Sequence, residues 1–275
     1  MAKKASITQH IGNGLSAVFS NPVISIGAIG LLGVVDTALY LLSMNILGLD
    51  TPKVSTSMQI NMAQEDLIKL SLTYTGFMIL SKLLIGPLIA ALAVVISRAK
   101  ALKKKVKAGT AINFALNRYT KIFFPYLIAQ LSIQIGMIII IPGIMFLMQY
   151  AFVDSVAALE DQKHVLTRSK KLTRPRRKSL LLLIIPYVLL GQAVQFIELF
   201  SAHDPMRLFL INFGFEAALF CMLCSFYMIY HERTTLIAKR RAEKKAKKLA
   251  EHDSQDGQEA QSQDGVAEGN AEEGS

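Results

Sequence analysis

The residues in this 275-residue chain that could do chemistry are few, and they sit where charge and polarity are hard to accommodate. Asp36 and Lys82 fall inside long apolar runs, as do Gln130 and Gln134, then Gln192, Gln195 and Glu198, and finally Asn212 and Glu216. A lone charge at the centre of a bilayer costs at least about 2.5–3.5 kcal/mol, so such groups pair, face water or line a path. Asp36 lies about fourteen residues into its run and Lys82 about fifteen into the next, which at a rise of about 1.5 Å brings both near the midplane. The expectation is an ion pair that sets the register of the first two helices, with a proton or ion relay as the functional alternative. Glu216 is the second candidate partner for Lys82.

The neutral polar residues follow helical spacing. Gln130 and Gln134 share a face by an i, i+4 step, Gln192, Gln195 and Glu198 by i, i+3 steps, and Asn212 and Glu216 by i, i+4. Counted by rise, all lie in the outer half of the bilayer. Two readings stay open: a polar cavity facing outward that takes a lipid headgroup or small solute, or hydrogen bonds between helices. The second is the simpler.

Signals for catalysis are missing. His10, His164, His203, His231 and His252 are scattered over loops and ends, without HExxH spacing. No G-x-S-x-G and no Gly-rich phosphate loop occurs. Cys221 and Cys224 form a C-x-x-C, but a single pair inside an apolar segment reads as two small side chains rather than a redox or metal centre. The expectation is a non-enzymatic protein with no metal and no cofactor.

The elements that hold these residues are membrane helices. Apolar residues make up 52% of the chain and charged ones 18%, and mean hydropathy is +0.39. The fold class expected is all-α, a polytopic bundle of six transmembrane helices at about 23–47, 67–96, 122–141, 143–158, 179–200 and 207–230. Residues 1–20 read as an amphipathic interfacial helix, with Ile7, Ile11, Leu15 and Val18 on one face. Residues 21–232 form the membrane domain, and a second amphipathic helix, TAINFALNRYTK, leads into the third span. Residues 233–250 are a basic juxtamembrane helix, and 251–275 an acidic tail expected to be disordered. Gly27, Gly30 and Gly33 would let a neighbour approach the first span, and Pro142-Gly143 marks the far end of a hairpin between the third and fourth.

Charge sets the orientation. Of the 30 Lys and Arg, all but Lys53, Lys69, Lys82 and Arg207 fall on one side in the six-span arrangement, which places both termini in the cytoplasm. The net charge of +10 therefore belongs to topology and anionic lipid, not nucleic acid. Headgroup contacts are expected from Lys103, Lys104, Lys105 and Lys107 in one connector. Arg168, Lys170, Lys171, Arg174, Arg176 and Arg177 supply them in the next. No feature identifies a protein partner.

Four features carry a resemblance: the Asn21-Pro22 entry, Pro142-Gly143 followed by AFVDSVAALED, RSKKLT at Arg168 to Thr173, and the closing YMIYHER. Over roughly residues 10–237 the chain resembles the glycerophosphoryl diester phosphodiesterase membrane-domain family and its uncharacterised YciC-like bacterial inner-membrane relatives. Where the family's Arg-Ser…Leu-Thr element continues into glycine, Arg174-Pro175 follows here. Some members carry a soluble phosphodiesterase domain after the membrane part; here the charged tail stands in that place, so that activity is not expected. The resemblance implies a role in envelope or membrane-lipid homeostasis. The alternatives are a transporter or lipid translocator built on the polar cluster, and a scaffold that recruits a soluble partner through its tail.

Reporter fusions test the topology. Fusions at Lys105, Arg174 and Ser275 should report the cytoplasm, and fusions at Ser57 and His203 the outside. An external signal at Arg174 would overturn the hairpin and the six-span arrangement together.

Overall fold

The computed structural model describes residues 6–49, 64–201 and 204–268, with side chains other than 64, 195–196, 198–201 and 248–268. Residues 50–63 and 202–203, expected as outer connections, and the side chains of Gln195 and Glu198 lie outside what is described. Among the described residues the chain is wholly helical. It divides into two units, Met1–Tyr230 and His231–Ser275.

The first unit opens with α1 (Ile7–Ser20), capped by the Ser6 hydroxyl, which accepts from the Gln9 amide at 3.2 Å. Its inward face is not the apolar stripe. His10, Gly14 and Ala17 are buried, while Ile11, Leu15 and Phe19 are exposed. Small residues let α1 press on the bundle, and a Cβ on Gly14 would meet Ser225. The chain breaks at Asn21, and Pro22 starts α2 (Pro22–Ile46), where its missing N–H leaves nothing unsatisfied.

α2 is apolar all round. It buries Ile24, Ala28, Leu32, Asp36, Tyr40 and Met44 on one face and exposes Val23, Ile26, Val34, Leu42 and Ile46 on the other. Of the three glycines flagged in this helix, Gly33 makes the close approach: a Cβ there would lie 3.2 Å from the Phe213 backbone, while nothing lies within 4 Å of Gly27.

α3 (Gln64–Ala101) is 38 residues long, roughly 57 Å, well beyond a single bilayer crossing. It packs on α2 and α4. α4 (Ala108–Met137) runs without a break through the stretch expected to form a separate connector helix. Ala111, Ala115, Ile122, Tyr126, Ala129, Ile133 and Gly136 keep one buried stripe from end to end, so there is no reason to break. The hairpin turn also differs from expectation. Ile138–Ile140 make the turn, with Ile140 at φ 55°, and Pro142 sits in the first turn of α5 (Ile141–Tyr150). Proline begins that helix rather than reversing the chain. The expected fourth span then divides at Ala151-Phe152 into α5 and α6 (Val153–Leu159).

α7 (Val165–Thr173) and a single 3-10 turn, Arg174–Arg176, lead into α8 (Arg177–Ser201) and α9 (Pro205–Glu268). Among the described residues five segments are long and apolar enough to cross a membrane: Pro22–Ile46, Glu65–Ala101, Ile141–Leu159, Val165–Val194 and Pro205–Lys247. α4 is not among them, its apolar run being interrupted by Pro125, Gln130 and Gln134. Large apolar side chains such as Leu72, Phe124, Ile135 and Leu189 stand exposed, which water would not permit at this density. The unit is a membrane-embedded helix bundle.

In the second unit α9 is helical from His231, and Lys239, Arg240, Arg241, Lys244, Lys245 and Lys247 are exposed. The helix persists to Glu268, through much of the tail expected to be disordered. Glu, Gln and Ala favour helix intrinsically. Residues 269–275 lie outside the described part.

The tight α4–α5 hairpin yields a test. A Cβ on Gly143 would strike Met137, whereas Gly27 has open space. Gly143→Ala should therefore lower stability by about 1–3 kcal/mol, and Gly27→Ala should leave it unchanged or raise it slightly. Thermal unfolding in detergent compares them, and equal losses would refute the contact.

Candidate functional site

Three helices meet at one ammonium. Lys82 of α3 donates a hydrogen bond to Glu216 Oε1 of α9, and its Nζ lies 3.5 Å from Asp36 Oδ2 of α2. The lysine side chain is 23% exposed, while Asp36 and Glu216 are 1% and 0% exposed. The lysine thus takes both partners foreseen as alternatives. Its Nζ also stands 5.7 Å from the centre of the Phe215 ring. One lysine cannot saturate two carboxylates: Asp36 Oδ1 and Glu216 Oε2 are buried without a hydrogen-bond donor among the described residues.

Spacing explains why α9 contributes so much here. Asn212 lies one turn before Glu216 on the same face, and its Nδ2 donates to Thr37 Oγ1 at 3.2 Å. Thr37 in turn donates to the Gly33 carbonyl at 2.7 Å, inside α2. From the adjacent turn Phe215 stacks on Tyr187 of α8, with ring centres 5.2 Å apart. Each helix around the ammonium is tied to the next by a polar or aromatic contact.

Beside this cluster is a cavity of about 750 Å³. Asp36, Lys82, Gln130, Gln134, Gln192 and Asn212 all line it. The polar residues that the sequence distributes over five helices are therefore brought together, with Glu216 attached through Lys82. The cavity extends from the α4–α5 turn at Ile138 and Ile140 to Asp154 and Phe226. Tyrosines 74, 126, 150 and 187 also line its wall. Tyr126 packs directly over Gly86 of α3, where any side chain would collide with its ring.

Sequence reasoning did not single out Asp154, which falls inside the expected fourth span, before its inner end. The break at Ala151-Phe152 turns it into the first turn of α6 and onto the cavity wall. No cation lies within ion-pair distance of it among the described residues. The available signal was an acid alone in the apolar stretch AFVDSVAAL.

The basic connectors make a separate surface. Lys103, Lys104, Lys105, Lys107, Lys170, Lys171, Arg174 and Arg177 are exposed. Arg176 is buried, and Arg168 is held by Glu160 at 2.9 Å. Glu160 Oε1 also accepts from Tyr230 at 2.9 Å, and Phe152 packs against the same tyrosine ring. Asp161 takes Lys121 at 2.8 Å and Arg118 at 3.2 Å. Hydrogen bonds from Lys121 and then Arg118 hold the Asp161 carboxyl below its ordinary value. That link is complete above the usual carboxylate range and is released as pH falls through the depressed value. The segments AFVDSVAALED and RSKKLT thus meet in space, and the first also meets Tyr230.

Among the described residues no group of His, Cys, Asp and Glu is arranged to hold a metal ion. Cys221 and Cys224 are both free, Cys224 buried. Comparison with protein-family models, curated proteins and solved structures finds no match to this chain.

The ammonium cluster makes a quantitative prediction. Lys82→Met leaves two buried carboxylates unpaired and should destabilise by about 3–5 kcal/mol, the scale for breaking a buried pair. Adding Glu216→Gln should recover more than adding Asp36→Asn, because Glu216 makes the direct hydrogen bond. Thermal stabilities of the single and double variants measure the coupling. Additive effects in both doubles would show that these side chains do not interact.

Proposed function

We propose that the chain is a non-enzymatic, six-span bacterial inner-membrane protein, with both termini cytoplasmic, that takes an amphipathic molecule into its central cavity. On this reading it is a transporter or lipid translocator, and α4 is the remaining span, tolerating Gln130 and Gln134 because they face the cavity. The observation that carries the proposal is the convergence of Asp36, Lys82, Gln130, Gln134, Gln192 and Asn212 on one space of about 750 Å³. That size suits a small organic molecule or a lipid headgroup. Side chains serving only as glue would pair directly with one another and leave no such space. Gln134 and Gln192 instead stay exposed on the cavity wall.

The family resemblance lends the activity a setting in membrane-lipid homeostasis. The exposed lysines and arginines of the connectors would meet anionic headgroups on the cytoplasmic face, at about 1 kcal/mol each.

Purification of the full chain in mild detergent, followed by extraction and mass analysis of bound small molecules and lipids, tests the reading. The wild type should carry a molecule that Gln134→Trp and Gln192→Trp lose several-fold. Leu116→Trp, at a position exposed to the surroundings and away from the cavity, should keep it. Equal retention in all four proteins would sink the proposal.

A further inference from the structure

We infer that the guest of this cavity is a monocationic amphiphile, an apolar body carrying one permanent positive charge of the quaternary ammonium or phosphonium kind. The inference rests on the cavity reading above and names its ligand class. Formal charge is the first argument. Asp36 and Asp154 line the cavity, Glu216 is attached to it through Lys82, and Lys82 is the cation of Asp36 and Glu216 alone. Three carboxylates and one ammonium leave an excess of negative charge in a space walled mainly by apolar side chains. Such walls keep the dielectric low and strengthen every charge interaction inside.

The orphaned oxygens are the second argument. Among the described residues Asp36 Oδ1 and Glu216 Oε2 are buried and lack a donor, and Asp154 has no cation within ion-pair distance. Neutral guests with N–H groups would serve the orphans, but would leave the excess charge uncompensated. An anionic guest would have to compete with two carboxylates for Lys82 and then lie against a third.

Aromatic faces are the third. Tyr126, Tyr150, Tyr187, Phe215 and Phe226 line the same space as the acids. Phe215 already faces one cation, Lys82. Rings of this kind attract a bulky, weakly hydrated cation through their quadrupoles, more strongly when water is excluded. Acid plus aromatic wall, without a free basic group, is a receptor for such an ion. Asp154 is the carboxylate in the wall available to it.

Two probes of equal shape and opposite charge separate the possibilities. The full chain, reconstituted in nanodiscs of zwitterionic lipid, is titrated with tetraphenylphosphonium and with tetraphenylborate. Tetraphenylphosphonium should bind saturably, and Asp154→Asn should weaken it at least tenfold, because the attraction of one unit charge a few ångström away at an effective dielectric of about 20 exceeds that factor. Asp154→Glu, which keeps the charge, should restore most of the affinity, so a folding defect is told apart from a charge effect. Tetraphenylborate should neither bind at the site nor compete.

Preferential binding of tetraphenylborate would overturn the inference while leaving the cavity reading in place. Phosphonium binding indifferent to Asp154→Asn would overturn the assignment of the site. Binding of neither ion would overturn the inference outright. The fate of the cavity reading would then be decided by the co-purification comparison, which does not depend on the charge of the guest.

Discussion

The bundle depends on one lysine. Lys82 projects from the middle of α3 into the interior of the bundle, where its charge is stabilised by the anions that come to it. Asp36 on α2 and Glu216 on α9 do so, which fixes two helices against a third at a single level. Everything around that level is then placed by short range. Asn212 reaches Thr37, Phe215 stacks on Tyr187, and Gly33 lets the Phe213 backbone come close. The arrangement is specific rather than merely cohesive: an apolar substitute could pack as tightly, but would not select one rotation of each helix.

That specificity leaves a remainder. A two-to-one meeting of carboxylates and ammonium satisfies the cation and leaves one oxygen of each acid without a donor among the described residues. A protein that needed only cohesion would have balanced the charges. Here a third acid, Asp154, without an ion-pair partner among the described residues, lines the same cavity as Asp36 and Lys82, together with several tyrosines.

Much of this was legible beforehand, for reasons that can be named. The apolar runs gave away the helices because a bilayer demands about 20 residues of them. Asp36 and Lys82 could be placed at one depth by counting, since rise per residue is constant. Rotation about the helix axis is what counting does not supply. Glu216 therefore entered only as a second candidate, although it makes the direct bond. Local grammar misled at Pro142-Gly143, where a pair common in turns instead opens a helix, while α1 buries His10, Gly14 and Ala17 and leaves Ile11, Leu15 and Phe19 outward. A membrane protein inverts the usual inference, since its apolar faces turn outward and its small and polar faces inward. Asp154 stayed hidden because a break at Ala151-Phe152 re-aims it, and no residue type announces that break.

Glu160 and Asp161 hold a last lesson. They are neighbours in sequence, yet one is 17% exposed and answers Arg168 and Tyr230, while the other is 72% exposed and answers Arg118 and Lys121. Glu160 has an extended backbone, φ −107° and ψ 124°, and along an extended chain consecutive side chains leave in opposite directions. Two adjacent acids can thereby serve two different sets of helices from one peptide unit. The constraint this places on the chain is one of phase more than of identity. Either acid can drift to its longer or shorter homologue and still reach its partners. A single residue inserted or removed before Glu160 would send the buried bond outward and the surface bond inward, and both would be lost at once.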